Sequence, residues 1–225
     1  PTRPSRCPGG GARATRVLEK HERSEQAHAL LLLAQSAPEN EAERQHLARI
    51  APRLARRLGH ARLAPRPPGF QDVTRLAALA NDIDVARMTL RMPHPYSQED
   101  AEAFVLAVAG QDPSRAATFL IEHEDHGPVG VIGLFEDGDP APEVGYWIGR
   151  PYWGRGYATA ALEGALVWAS RRGRRRAPVG GHFTDNPASG RVLEKAGFLY
   201  TGEVRRGFSR ARAAETATRR MIWLA

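Results

Sequence analysis

The stretch Trp153-Gly154-Arg155-Gly156-Tyr157-Ala158-Thr159 constrains this 225-residue chain more than any other. A strand-like segment precedes it and an alanine-rich helical pattern follows it, so it reads as a strand–turn–helix junction. Two glycines in three positions let the backbone turn sharply and let a ligand approach without Cβ atoms in the way. The helix that follows points its unpaired N–H groups, and the positive end of its dipole, at the same spot. Together these make an anion site, and the natural anion is a phosphate or pyrophosphate.

Two familiar glycine loops fail at this position. A dinucleotide-binding loop needs G-x-G-x-x-G after the first strand of a βαβ unit. Here Thr159 stands in the third glycine's place, and the turn follows three strands that read as antiparallel. A phosphate-binding P-loop needs G-x-x-x-x-G-K-[ST], and no lysine is nearby. The run Gly9-Gly10-Gly11 precedes no strand and reads as linker.

A second block lies downstream: Asp185-Asn186-Pro187-Ala188-Ser189, then Val192-Leu193-Glu194-Lys195-Ala196-Gly197-Phe198. With Glu143-Val144-Gly145-Tyr146-Trp147-Ile148-Gly149 and the glycine turn, it resembles the acetyl-CoA site of the GNAT N-acetyltransferases. The RimJ/RimL-like branch is the most similar. The resemblance spans Ala61 to Ala225. It implies an α/β (α+β) GNAT fold, a mixed, mostly antiparallel central sheet of six to seven strands flanked by helices. Two departures stand out. The turn opens on Trp153 where Gln or Arg is common, and Ala160 replaces a usual Glu.

The rest of the chain reads consistently with that fold. Arg62 to Arg66 suggests a short edge strand, since Pro65 is tolerated there. Gln71 to Met88 is helical, with a break near Asn81-Asp82. Ser97 with Asp100 marks a helix start. Strands are expected over 117–123, 129–135, 143–149 and 179–183, with a turn at Asp137-Gly138-Asp139-Pro140. A helix over 156–172 buries Ala158, Ala161, Leu162, Ala165, Leu166 and Ala169 by their i, i+3, i+4, i+7 spacing. A helix over 187–196 and strands over 198–204 and 216–224 complete the domain, 59–225. Residues 1–58 form a separate extension: a disordered start, then helical patterns over 15–35 and from Pro38 to Leu58, with a kink expected at Pro52.

Composition narrows the setting. Residues 1–60 hold 11 Arg/Lys against 6 Asp/Glu, and residues 61–225 hold 21 against 19, so the basic excess is mostly N-terminal. The arginine run from Arg171 to Arg176 suits a helix C-terminus, where cations complement the dipole. No aromatic or groove-fitting element accompanies it, which argues against a nucleic-acid partner. One cysteine, Cys7, excludes an internal disulfide framework. No apolar run is long enough for a membrane span, and a cytoplasmic setting fits. No histidine pair has metal-ligand spacing, so no metal is expected. A homodimer is among the roles open to the extension.

The resemblance carries a site. Backbone amides of Gly154, Arg155, Gly156, Tyr157, Ala158 and Thr159 would hold the cofactor pyrophosphate, with Arg155 adding charge. Trp147, Ile148 and Gly149 would lend main-chain groups to the extended pantetheine arm, as to an added strand. Asn186 and Lys195 complete the cofactor residues. Strand alternation puts Glu143, Gly145 and Trp147 on one face and Val144, Tyr146 and Ile148 on the other. Deprotonating an ammonium calls for a carboxylate, and Glu143 is the candidate base; the alternative is an exposed strand-start carboxylate. By resemblance, Ser189 would protonate the departing thiolate, or it is an ordinary first-turn serine beside the natural helix cap Asn186. His94 and Tyr96 would line the acceptor side. The implied activity is acetyl transfer from acetyl-CoA to a primary amine, a peptide or protein N-terminus first. A small-molecule amine and a non-catalytic acetyl-CoA-binding module are the alternatives.

Overall fold

The computed structural model describes residues 61–224 apart from 65, 124, 137–140 and 172–176. The extension over 1–58, the turn at 137–140 and Arg172 to Arg176 lie outside the described residues. A seven-stranded sheet forms the centre. Its strands are β1 (Ala61–Ala64), β2 (Ala116–His123), β3 (Gly127–Phe135), β4 (Glu143–Ile148), β5 (Val179–Phe183), β6 (Phe198–Ser209) and β7 (Ala214–Trp223). The order across the sheet is β1-β2-β3-β4-β5-β7-β6. Every neighbouring pair is antiparallel except β4 and β5.

Helices α1 (Val73–Ala80), α2 (Ile83–Ala86) and α3 (Gln98–Ala109) precede β2, and α4 (Tyr157–Arg171) and α5 (Pro187–Lys195) flank β5 in sequence. The break between α1 and α2 falls at Asn81-Asp82, where the Asp82 carboxylate accepts from the Asp84 amide and caps the new turn. The Ser97 hydroxyl accepts from the Asp100 amide at 3.1 Å, and the Asp100 carboxylate accepts from the Ser97 amide at 2.9 Å. That reciprocal box starts α3 where the sequence says it should.

Two apolar layers sandwich the sheet. On one face Val73 and Leu76 of α1 meet Ala101 and Val105 of α3 over Leu120 and Val131. On the other, Ala161, Leu162, Ala165, Leu166 and Ala169 of α4 pack with Leu193 of α5 over Ile132, Leu134, Val144 and Met221. Trp168 extends that stripe and meets Phe119 edge-on, with ring centroids 5.3 Å apart. Small residues on α4 bring the helix close to the sheet. Removing a fully buried side chain there, as in Leu162→Ala, costs about 2–5 kcal/mol.

β6 and β7 run longer than their sequence pattern suggests, to Ser209 and from Ala214. Nearly all of β6 is solvent-exposed, so it lacks the apolar alternation that marks a half-buried strand. The tip of this hairpin is tied to the segment after α2. The Arg210 amide donates to the Leu90 carbonyl at 3.0 Å, the Ser209 hydroxyl to the Thr89 carbonyl at 3.0 Å, and Arg212 Nε to the Arg87 carbonyl at 2.6 Å.

Candidate active site

The site is organised by one irregularity: β4 and β5 are paired only at Glu143 and Val179. There the Val179 amide donates to the Pro142 carbonyl at 2.9 Å. Beyond that point β4 stays with β3 and β5 goes with β7, so the two strands splay and leave a slot. The Gly149 amide donates to the Val129 carbonyl, which puts the odd-numbered main-chain groups of β4 on the β3 side. The even-numbered groups, at Tyr146 and Ile148, therefore face the slot. This refines the expectation for residues 147–149. Gly149 is engaged through both its amide and its carbonyl, the latter with the Tyr152 amide. The Ile148 carbonyl accepts from Trp153 Nε1 at 2.6 Å.

That Trp153 contact ties the glycine turn to the end of β4. Gly154 and Gly156 have φ of +75° and +82°, a conformation that non-glycine residues rarely adopt. Nothing lies within 4 Å of a Cβ built on either, so the outer side of the turn is open. The first helical bond of α4 runs from the Ala160 amide to the Gly156 carbonyl. The amides of Tyr157, Ala158 and Thr159 thus precede it, aligned with the helix dipole. An open concavity of amides at a helix N-terminus fits a pyrophosphate.

Cations flank it. Arg155 Cζ lies 5.8 Å from the Tyr152 ring centroid and Arg75 Cζ 5.7 Å from it. Arg75 also donates to the Tyr152 hydroxyl at 2.6 Å and to the Pro128 carbonyl at 3.0 Å. Sequence reasoning missed Arg75, because it stands in α1, far along the chain from the turn it borders.

At the slot Tyr146 reaches from β4 to α5. Its hydroxyl lies 2.9 Å from Ser189 Oγ and 3.2 Å from the Ser189 carbonyl. Burial pushes the Tyr146 phenol up to about 12, against a smaller lowering by the bond to Ser189. The Asn186 side-chain oxygen accepts from the Ser189 amide at 3.1 Å, so Asn186 is the cap of α5 and keeps its NH₂ for other partners. Asp185 sits between two nitrogens of Arg212, at 2.8 and 3.1 Å. Those bonds hold its carboxyl below the usual carboxylate range. Lys195 is exposed in the last turn of α5, about 9 Å of helix rise beyond Ser189.

A cavity of about 690 Å³ opens on the α1–α3 face of the sheet, within the range of small-molecule and peptide-end sites. Tyr96 and Phe104 line one side, and Glu143, Gly145 and Trp147 the other. Tyr146, Asn186 and Ser189 meet it through the slot. Glu143 Oε2 is 3.4 Å from Nη1 of the buried Arg220. Burial, with the Asp100 charge second, raises the half-buried Tyr96 phenol to about 12. His94 is exposed and outside the cavity lining. His182 is buried; its Nδ1 donates to the Phe183 carbonyl at 2.8 Å, and its Nε2 lies 3.0 Å from the Tyr200 hydroxyl.

Among the described residues no group of three or more His, Cys, Asp and Glu is placed to hold a metal ion. No helix there is long and apolar enough to cross a membrane. Glu143, on β4, and Ser189, on α5, both line the cavity, Ser189 meeting it through the slot between β4 and β5. Tyr146 and Arg220 had no signal in the sequence beyond their place in a strand pattern, and Arg212, in the turn between β6 and β7, had none.

Comparisons agree with this geometry. The model of the acetyltransferase (GNAT) domain matches residues 62–199. The RimL ribosomal L7/L12 α-N-protein acetyltransferase in complex with coenzyme A superposes with TM-score 0.63 at 20% identity, over 74% of this chain and 94% of that one. RimJ of Mycobacterium smegmatis, in complex with CoA-disulfide, gives 0.60 at 18% over 73% and 83%. A spermidine N-acetyltransferase SpeG chimera from Vibrio cholerae gives 0.58 at 17% over 74% and 96%. At these identities the likeness is one of fold. A Fanconi-associated nuclease 1 homolog of Pseudomonas aeruginosa is 53% identical over 62 residues, 28% of this chain and 11% of that protein.

Proposed function

We propose, since the chain belongs to the GNAT acetyltransferase family, that it acetylates the N-terminal amine of a peptide or protein. As a member it is an acetyl-CoA-dependent N-acetyltransferase. The observation that carries the proposal is the slot between β4 and β5, with a carboxylate on one side and a hydroxyl pair on the other. The similarity to RimL and RimJ supports the peptide acceptor.

Amides 154–159 bind the pyrophosphate of acetyl-CoA, and Arg155 and Arg75 add positive potential. Slot-facing main-chain groups of Tyr146 and Ile148, with the Asn186 NH₂, hold the pantetheine arm as an added strand. Lys195 contributes to the cofactor surface beyond them. This brings the thioester carbon to the cavity side of β4.

Glu143 takes a proton from the acceptor ammonium, directly or through water. The freed nitrogen attacks the thioester carbon, an amide bond forms, and the carbon–sulfur bond breaks. The second proton lost from nitrogen replaces, through water, the one that the Ser189–Tyr146 pair gives to sulfur. Ser189 Oγ–H donates to the departing sulfur while the Tyr146 hydroxyl donates to Ser189 Oγ. Tyr146 keeps its proton through the neutral range, so its hydroxyl can donate to Ser189 Oγ in place of the Ser189 carbonyl. Tyr96 lines the acceptor's path, and His94 lies further out on the same loop.

A test is release of CoA thiol from acetyl-CoA in the presence of peptides with free and with blocked N-termini. Release that needs the free amine supports the proposal. Equal release with blocked peptides carrying a lysine would sink it.

A further inference from the structure

The mouth of the cavity is basic, and the fold holds its cations there. Arg91, in the segment after α2, and Arg210, at the tip of the β6–β7 hairpin, both line it. The Arg210 amide donates to the Leu90 carbonyl at 3.0 Å, and Nη1 of its guanidinium to the Arg91 carbonyl at 3.4 Å. The Arg91 guanidinium stacks over the Phe135 ring, 4.6 Å from its centroid. Phe135 is opposite Glu143 across β3 and β4, so the two side chains share a face, with Cα atoms about 5 Å apart. A Cβ on Gly145 would meet the Phe135 ring at 3.2 Å, which puts that ring on the cavity face with Glu143. One cation of the mouth is therefore one strand over from the candidate base. The other is close to Tyr96: burial raises the Tyr96 phenol, and the Arg210 charge works against the rise.

The carboxylates of the lining are turned elsewhere. Asp100 accepts from the Ser97 amide in the capping box, and Glu143 lies 3.4 Å from the buried Arg220. Among the described residues the Arg210 guanidinium bonds to one main-chain carbonyl and to no carboxylate. A guanidinium offers five N–H donors in a planar fork that fits a carboxylate. Tyr96, Phe104, Phe135 and Trp147 make the walls apolar and aromatic, and such walls strengthen a charge contact relative to open water. An acceptor whose one charge is its ammonium must enter past two cations. One that also carries a carboxylate is drawn in by the same field.

We infer that the pair Arg91 and Arg210 takes a carboxylate of the acceptor while the acceptor's amine stands at Glu143, so that acidic N-terminal sequences are preferred. The spacing sets where the acid belongs. One strand spacing across and one stacking distance up amount to roughly 7 Å, and extended chain covers about 3.3–3.6 Å per residue. The acid is therefore the second residue. The inference rests on the proposed peptide acceptor for its source. A free amino acid with a side-chain carboxylate carries the same two charges on a shorter frame.

The test is acetyl transfer by the full chain to matched peptides beginning Ser-Asp, Ser-Asn and Ser-Lys, and to free glutamate and glutamine. Wild type, Arg210→Gln and Arg210→Glu are compared, with acetyl-CoA affinity measured for each as a check on folding. Arg210 is exposed, so the effect is that of a surface ion pair. In wild type kcat/KM should be about fivefold higher for Ser-Asp than for Ser-Asn, through KM, with Ser-Lys last. That ratio should shrink about twofold from low salt to about 0.5 M salt. Arg210→Gln should bring it down to about twofold, and Arg210→Glu should put Ser-Lys ahead of Ser-Asp. A Ser-Asn peptide equal to or better than Ser-Asp in wild type overturns the carboxylate site and leaves the peptide reading standing. So does a preference that either variant keeps intact while binding acetyl-CoA. Turnover of glutamate over glutamine, with no peptide turned over, overturns the peptide reading and leaves the carboxylate site standing. Glutamate and glutamine taken equally without any peptide, or no turnover at all, overturns both. If neither variant binds acetyl-CoA, the salt series on wild type decides, and a ratio that salt leaves unmoved contradicts the inference.

Discussion

The proposed donor and acceptor halves of this site are built by opposite means. On the donor side, one contiguous turn and the helix behind it present backbone amides, with two positive-φ glycines shaping the concavity. On the acceptor side, side chains from α3, the loop before it and five strands converge on a cavity. A backbone site depends on conformation and tolerates most side-chain changes that leave φ alone. A side-chain site changes character with single substitutions. Cofactor recognition should therefore be robust and all-or-none, and acceptor recognition graded.

The sharpest way to break that contrast is Gly156→Glu. The new residue would need φ near +82° and would put a carboxylate where the pyrophosphate belongs. Acetyl-CoA affinity should fall by more than about 100-fold, a loss of about 3 kcal/mol by titration calorimetry. Normal affinity would mean the turn is not the donor site. Next in size is Glu143→Gln, expected to lower kcat about 10²–10⁴-fold with cofactor affinity near wild type. If its rate–pH profile matched wild type, the base would have to be sought elsewhere. Tyr146→Phe should cost less, about tenfold in kcat, because Ser189 remains to donate. A fall larger than that of Ser189→Ala would place Tyr146 nearer the sulfur than Ser189.

Those three predictions also mark what was legible in the sequence. The donor side was, because its parts are contiguous and its physics is local: glycines, a helix start and an alanine stripe announce themselves by spacing. The capping box at Ser97 and Asp100 and the break at Asn81-Asp82 were legible for the same reason. Glu143 was placed on its correct face by alternation alone. Tyr146 was also placed correctly, but its bond to Ser189 spans 43 residues and depends on how far two strands part. Nothing in the local pattern encodes that distance. Arg220, Arg212 and Arg75 share this character, since each becomes informative only once a distant strand or turn is beside it. The length of β6 was lost for another reason, its exposed surface offering no burial pattern to read.

The smallest effect concerns the joint between the halves. Arg212 binds Asp185 on the donor-side block and the Arg87 carbonyl beside the acceptor loop. Asp185 has a lowered pKa in the folded state, so its contribution to stability is present above the ordinary carboxylate range. It is lost as pH falls through the lowered value. With half of the Asp185 side chain exposed, the contribution is under about 1 kcal/mol. Asp185→Asn should therefore be slightly less stable than wild type in denaturant melts at pH 7, and the two should converge on acidification. A gap that widened in acid would reverse the assigned sign.

In the proposed mechanism one slot joins a backbone-built acetyl-CoA site to a cavity for a peptide's terminal amine. The most direct measurement is CoA-thiol release with N-terminal peptides and small amines side by side, followed by mass analysis of the acetylated position. Saturable release with free-amine peptides and a single acetyl group on the α-amine are expected. Release with small amines alone, or acetyl groups on lysine side chains, would contradict that mechanism.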